Sequence, residues 1–76
     1  MYYVYVLKCP ATNKLYYGYT KDLKRRLLEH NRKKAWSLVY YEAYNKETDA
    51  RRREKAIKNS GQAIKALKTR IKDSLR

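Results

Sequence analysis

The sequence predicts a small α+β domain in which a three-stranded antiparallel sheet is flanked by helices, in the order ββαβαα. Three features predict it: two β-branched and aromatic runs separated by a turn at the start of the chain, a third such run near its middle, and helical periodicity between and after them. Three strands cannot cover their own faces, so helices must pack on the sheet, and a hairpin followed by a helix and a third strand points to antiparallel pairing. Seventy-six residues are read as one domain, residues 1–76, with no linker, repeat or low-complexity stretch. A chain this short buries only about 60% of the surface it exposes when unfolded, so the core must be small.

Each element has its own signal. Residues 2–8 are dense in Tyr and Val, residues 9–14 carry the turn formers Pro10 and Asn13, and residues 15–20 resume strand character, which gives a hairpin. Thr20 is the expected cap of a helix over 21–33, with Asp22 near its positive end and Leu23 and Leu27 on one face. Residues 38–44 form the third strand, entered through Trp36 and Ser37. A helix over 48–59 follows, with Thr48 as N-cap, Asp49 in the first turn and Gly61 just past the end. Over 62–75, Ile64, Leu67, Ile71 and Leu75 make an apolar stripe on a helix otherwise rich in Lys and Arg, which serves equally as a solvated cover for the core or as a nucleic-acid contact.

Composition narrows the function. Twenty Lys and Arg against seven acids give a net charge of +13, a field that collects polyanions whatever the fold, and nucleic acid is the expected partner. A basic amphipathic membrane anchor would show Trp, Phe and Leu on its apolar face, but Phe is absent and the nine Tyr cluster in the strand runs, so no membrane is expected. One Cys permits no intramolecular disulfide, and one Cys with one His makes a structural zinc site improbable. No run approaches the roughly 18 apolar residues of a membrane span, and the start lacks the pattern of a signal peptide, so cytoplasmic residence is the expectation.

The residue that points to chemistry is Glu54, set in Arg51-Arg52-Arg53-Glu54-Lys55. At about 100° per residue, Ala50, Glu54 and Ile57 share one helix face, so a carboxylate stands where packing alone would choose Leu or Ile. Either it pairs with a nearby basic side chain, as inward charges do, or it holds a metal ion. On the first helix Arg26 and His30, four apart, lie together beside Leu23 and Leu27, one a permanently charged fork for phosphate oxygens and the other a proton carrier near neutral pH. Strand alternation puts Tyr3, Tyr5 and Leu7 on one side, with Tyr16, Gly18 and Thr20 on one side of the partner strand. A phenol, with its ordinary pKa of about 10 improved by neighbouring cations, can handle protons or orient water. Most of the nine tyrosines are equally well explained as packing, and Gly18 in mid-strand marks a bulge or a close approach. One oxygen ligand for a hard ion, a guanidinium, phenols and an imidazole are the parts that phosphodiester hydrolysis needs. With a single acid, one ion is expected, Mg2+ or Mn2+, completed by water and phosphate.

These residues, in order, resemble the GIY-YIG nuclease family. Tyr3-Val4-Tyr5 takes the place of the first motif and Tyr16-Tyr17-Gly18 that of the second, with Tyr3 where the motif has Gly and Tyr17 where it has Ile. The run from Thr20 to Leu27 follows, then His30-Asn31, Trp36 through Glu42, and Arg52-Arg53-Glu54-Lys55 with Ile57-Lys58. The chain is similar to the small stand-alone members, relatives of the N-terminal catalytic domain of the bacterial excision-repair incision subunit. The stretch between Asn31 and Trp36 is shorter than in many of them, and the segment from Asn59 does not follow their usual continuation. The resemblance implies that Tyr5 orients or activates the attacking water with Tyr16 beside it. It likewise implies that Arg26 contacts the scissile phosphate, His30 acts in proton transfer or on phosphate, and Glu54 is the single metal ligand. The expected function is a metal-dependent DNA endonuclease directed by structure or damage, since no sequence-reading module is visible, with an unidentified protein recruiting it. The alternatives are a basic DNA- or RNA-binding module that keeps the fold without turnover, and a small component of a larger assembly.

Overall fold

The computed structural model describes every residue except Lys33 and Lys34. Its elements are β1 (Tyr2–Lys8), β2 (Leu15–Thr20), α1 (Leu23–His30), β3 (Ser37–Tyr44), α2 (Glu47–Asn59) and α3 (Gly61–Arg70), the predicted ββαβαα order. All pairing is antiparallel, and the sheet order β2-β1-β3 puts the first strand in the centre. The turn between β1 and β2 closes through Cys9 N–H donating to Lys14 O at 2.9 Å and Asn13 N–H to Cys9 O at 2.7 Å. Asn13 has φ 57°, a left-handed conformation that Asn tolerates better than most residues.

The central strand is buried on both faces. Val4 and Val6 point into a core with Ala50, Ile57, Leu67 and Ile71, while Tyr5 and Leu7 are buried on the opposite side. A continuous apolar run is what a strand covered on both sides requires, which is why 4–7 do not alternate in polarity. On the β3 side the ladder slips once: Val6 faces Tyr40 but Leu7 faces Leu38, so Val39 is the extra residue of a bulge. On the β2 side the register is regular from Tyr3↔Thr20 to Lys8↔Leu15, so Gly18 does not mark a bulge.

Helix ends depart from expectation in all three helices. Asp22, not Thr20, caps α1: its Oδ1 accepts from Arg25 N–H at 3.0 Å, and Thr20 Oγ1 at the end of β2 accepts from Asp22 N–H at 3.0 Å, so the two side chains share the entry. The predicted end at Lys33 lies outside the described residues; the described helix ends at His30. Thr48 lies inside α2, whose cap position is Lys46 with no side-chain hydrogen bond; Glu47 and Asp49 in the first turn supply the negative charge that the helix start favours. α3 starts at Gly61 behind Ser60, whose Oγ accepts from Ala63 N–H at 3.2 Å, so Ser60 ends one helix and caps the next. It ends at Arg70, short of the predicted 75, but Leu75 N–H donating to Ile71 O at 3.1 Å keeps the stripe in line. Leu67 and Ile71 are buried and Ile64 and Leu75 pack against the same core.

Candidate active site

The side of the sheet away from that core carries a cluster of rings. Tyr5 and Tyr16 alternate outward on β1 and β2, with Tyr5 opposite Gly18 and Leu7 opposite Tyr16 in the register. Their rings stack at 6.3 Å between centroids with 28° between planes. His30, the last residue of α1, closes on Tyr16 at 4.6 Å and stands edge-on to Tyr5 at 6.3 Å. Trp36, from the segment before β3, completes the cluster edge-on to both Tyr16 and His30, at 6.2 Å from each. Sequence reasoning did not single out Trp36 for the site; its position at the entrance to a strand gave no sign of what its ring would touch.

Gly18 is the floor of this cluster. A Cβ there would lie 2.6 Å from Tyr5 Oη, 2.8 Å from Tyr5 Cζ and 3.2 Å from Tyr16 Cε1. Of the two meanings of a mid-strand glycine, close approach is the one realised: the missing side chain lets the phenol of Tyr5 lie across β2.

The charges around the phenol come from two helices. Burial, the nearby Tyr16 phenol, Glu54 and Glu29 all raise the pKa of Tyr5 while Arg26 lowers it, and the outcome is about 12. The expectation that neighbouring cations improve this phenol as a proton-transfer group is therefore reversed, because desolvation disfavours the phenolate more than one arginine favours it. His30 moves the other way from need of charge to neutrality: burial and Arg26 hold it below its ordinary 6.5, against a pull upward from Glu29. Its Nε2 is buried with no hydrogen-bond partner.

Arg26 keeps its side chain 43% exposed and lies 3.5 Å from Glu29, which also takes Arg25 at 3.1 Å. It lines an open pocket of about 620 Å³ with Thr20, Lys21, Asp22, Arg25 and Glu29. Glu54 is three-quarters buried, between Ala50 and Ile57 along the helix as the periodicity required, and its Oε2 lies 3.2 Å from Lys58 Nζ one turn on. Pairing with a neighbouring cation is thus realised, while the Glu54 charge still reaches the Tyr5 phenol. Among the described residues no group of three or more His, Cys, Asp or Glu could hold a metal. The structure brings Tyr5, Tyr16 and His30 into ring contact, and places Arg26 and Glu54 near enough for both charges to act on Tyr5.

A second polar cluster escaped sequence reasoning. Glu42 on β3 faces the helices, where Arg53 donates to it through Nε at 3.0 Å and Nη2 at 3.1 Å, Tyr40 Oη donates at 2.6 Å, and Tyr44 Oη donates as well. Burial raises the Glu42 carboxyl, but the hydrogen bonds from Arg53, Tyr40 and Tyr44 outweigh it and hold the pKa below the usual 4.5. The signal was there in Tyr40-Glu42-Tyr44, an acid at the inward position of an alternating strand. Its partner Arg53 directly precedes Glu54, so this clamp ties the metal-ligand candidate's helix to the sheet.

Comparison with known proteins agrees with the order of the motifs. Residues 1–70 match the family model described as the GIY-YIG catalytic domain. The chain is 39% identical over 72 aligned positions to a UPF0213 protein of Streptococcus agalactiae, covering 83% of this chain and 81% of the relative. It is 33% identical over 66 positions to a UPF0213 protein of Staphylococcus saprophyticus, covering 75% and 79%. The solution NMR structure of a UPF0213 protein from Bacillus halodurans superposes with a TM-score of 0.62 at 29% identity, covering 91% of this chain and 84% of that one. Fold, motif order and relatives agree: the chain belongs to the GIY-YIG family, whose catalytic domain is a nuclease fold.

Proposed function

We propose that this protein is a divalent-metal-dependent endonuclease that hydrolyses DNA phosphodiester bonds, selecting by structure or damage rather than by sequence. The observation that supports it most is a buried phenol and a neutral imidazole in ring contact beside Gly18, with an arginine and an inward carboxylate near enough for their charges to act on the phenol. Arg26 binds the scissile phosphate in its open pocket and neutralises the charge that builds on the phosphoryl oxygens. Tyr5, a phenol at neutral pH, orients the attacking water with Tyr16 stacked beside it. His30, held toward neutrality, accepts the proton that water releases as its oxygen bonds to phosphorus, while the P–O bond to the leaving oxygen breaks and that oxygen takes a proton from solvent. Glu54 is the residue that would hold the ion. A donor set of one three-quarters-buried carboxylate fits a single Mg2+ or Mn2+ completed by water and phosphate oxygens, and does not fit zinc. Such an ion, when bound, supplies charge stabilisation on the phosphate and the leaving oxygen. A net charge of +13 holds the polymer, and we place substrate choice in DNA shape and in a recruiting protein in the cytoplasm.

The Lys58 pair is the one observation that favours a binding module, since it gives Glu54 a partner without metal. Supercoiled plasmid, single-stranded DNA and a branched duplex incubated with Mg2+ or Mn2+, with chelator, and with Glu54→Ala separate the two. The nuclease reading expects metal-dependent cleavage that disappears in the variant while binding persists. Salt-sensitive binding with no cleavage of any of the three substrates would replace it with the binding module.

A further inference from the structure

The ring-bearing face of the sheet is open at the β3 edge. Tyr41 is 52% exposed and the alternate residue Ala43 is exposed too, while Tyr40, Glu42 and Tyr44 turn half-buried toward the helices. Tyr41 is the register partner of Tyr5, so it stands on the same face, one strand from the reaction centre, and Tyr3 meets its ring edge-on at 5.9 Å and 67°. The contact braces the ring while about half of Tyr41 stays in solvent. An exposed edge strand is ordinarily blunted with Lys, Pro or a polar side chain, and a bare aromatic there is a liability unless something covers it. The Tyr5 phenol lies over β2 and Tyr41 stands over β3, two strand spacings or roughly 10 Å apart. A short stretch of one nucleic-acid strand covers that distance.

We propose that Tyr41, held by Tyr3, is a stacking platform for one unpaired base next to the scissile phosphate, and that it makes the site select unpaired or locally melted strands over intact duplex. The choice of polymer rests on the nuclease reading and on charge complementarity between a +13 chain and a phosphate backbone. In a duplex the bases are stacked on each other and present only their edges, so a single aromatic face gains nothing from intact B-form DNA. An unstacked base offers its π-face, and the platform does not read sequence because every base has one.

The test measures binding in chelator, where no cleavage interferes, by fluorescence titration of one oligonucleotide carrying a 2-aminopurine, single-stranded and as a blunt duplex. Tyr41→Ala and Tyr41→Thr, the second keeping a strand-forming residue, should weaken single-strand binding roughly 5- to 150-fold and leave duplex binding within twofold. Tyr41→Phe should bind like the native chain, since stacking needs no hydroxyl. Equal losses on both forms, no loss on either, or a Phe variant as weak as Thr would overturn the proposal. So would a native dimer, seen by sedimentation, that Tyr41→Thr splits, because the occupant of the face would then be a second copy. A protein that cleaves nothing yet shows the selective loss sinks the nuclease reading alone; one that cleaves with metal but is indifferent to Tyr41 sinks this proposal alone.

Discussion

Gly18→Ala is the sharpest perturbation the structure offers. The added Cβ would meet Tyr5 Oη at 2.6 Å and Cζ at 2.8 Å, whereas ordinary contact begins at 3.4 Å, so the ring must retreat by about 0.8 Å (3.4 less 2.6). It has nowhere easy to go, since Tyr5 is 2% exposed and Tyr16 Cε1 already lies 3.2 Å from the same point. Overpacking of this kind costs about 1–3 kcal/mol, offset by about 0.5–1 kcal/mol because alanine loses less backbone freedom than glycine on folding. The net is a destabilisation of up to about 2.5 kcal/mol, centred near 1 kcal/mol, and each kcal/mol lowers Tm by roughly 4–8 °C in a domain of this size. Displacement of a positioning group by most of an ångström should also reduce cleavage by about 100-fold. Thermal melts followed by circular dichroism read the first effect and plasmid nicking the second. Adding Tyr5→Phe removes the atom in the tightest contact, so stability should partly return while cleavage stays low. A Gly18→Ala protein that melts no lower than the native chain and cleaves as fast would refute the idea that this glycine makes room for the phenol.

Other outcomes follow from the charges. Arg53→Met should cost about 2 kcal/mol in urea denaturation, less than a fully buried pair because Arg53 is 31% exposed, and no change would reduce the clamp to decoration. The lowered Glu42 pKa contributes stability that is present above its ordinary 4.5 and lost as pH falls below it; Glu42→Gln should flatten that acid limb, measured as urea midpoint against pH. Tyr5, at about 12 against 10.0, favours the fold until the unfolded phenol ionises, so stability should fall between pH 10 and 12, with a smaller slope in Tyr5→Phe. Arg26→Lys keeps charge and loses the fork, and its cleavage rate should drop far more than its DNA affinity, with equal drops marking an ordinary binding residue. Lys58→Gln removes the cation paired with Glu54 and should tighten Mn2+ about twofold by calorimetry, as an i,i+4 pair of about 0.3–0.5 kcal/mol allows; weaker Mn2+ binding would count against Glu54 as the ligand.

Element order and the two strand faces were legible because they depend on local periodicity: Val4 and Val6 went to one side, Tyr5 and Leu7 to the other, and Ala50, Glu54 and Ile57 shared a helix face. Helix starts were not, because Thr20, Asp22 and Thr48 are all competent caps, and the choice is made by which backbone N–H each can reach. Gly18 was marked by its position in a strand, but only the register, which sets it opposite Tyr5, decides between bulge and close approach. The Glu42 and Arg53 pair spans eleven residues and two element types, so no window on the sequence brings it together. The direction of the Tyr5 pKa failed for a related reason: cations are visible in the sequence, whereas desolvation and carboxylates arriving from two helices are properties of the assembled site.

The contrast between Tyr5 and His30 follows from burial acting oppositely on two kinds of group. Desolvation disfavours charge, so it keeps a phenol protonated and an imidazole unprotonated, and the same cluster applies both effects at once. Arg26 strengthens the contrast at His30 by repelling a second positive charge, and at Tyr5 only softens it. At neutral pH the cluster therefore holds an imidazole able to accept a proton beside a phenol that keeps its own, and the charge of Arg26 acts on both. On the proposed reading this contrast suits His30 to accepting a proton and Tyr5 to orienting water as a phenol that keeps its own. Among the tyrosines facing this side, Tyr5 is the one so buried, because Gly18 lets it lie down; Tyr41, its register neighbour on the other strand, stays out in solvent. One missing side chain on β2 thus separates the tyrosine we assign to the reaction from the tyrosine we assign to contact.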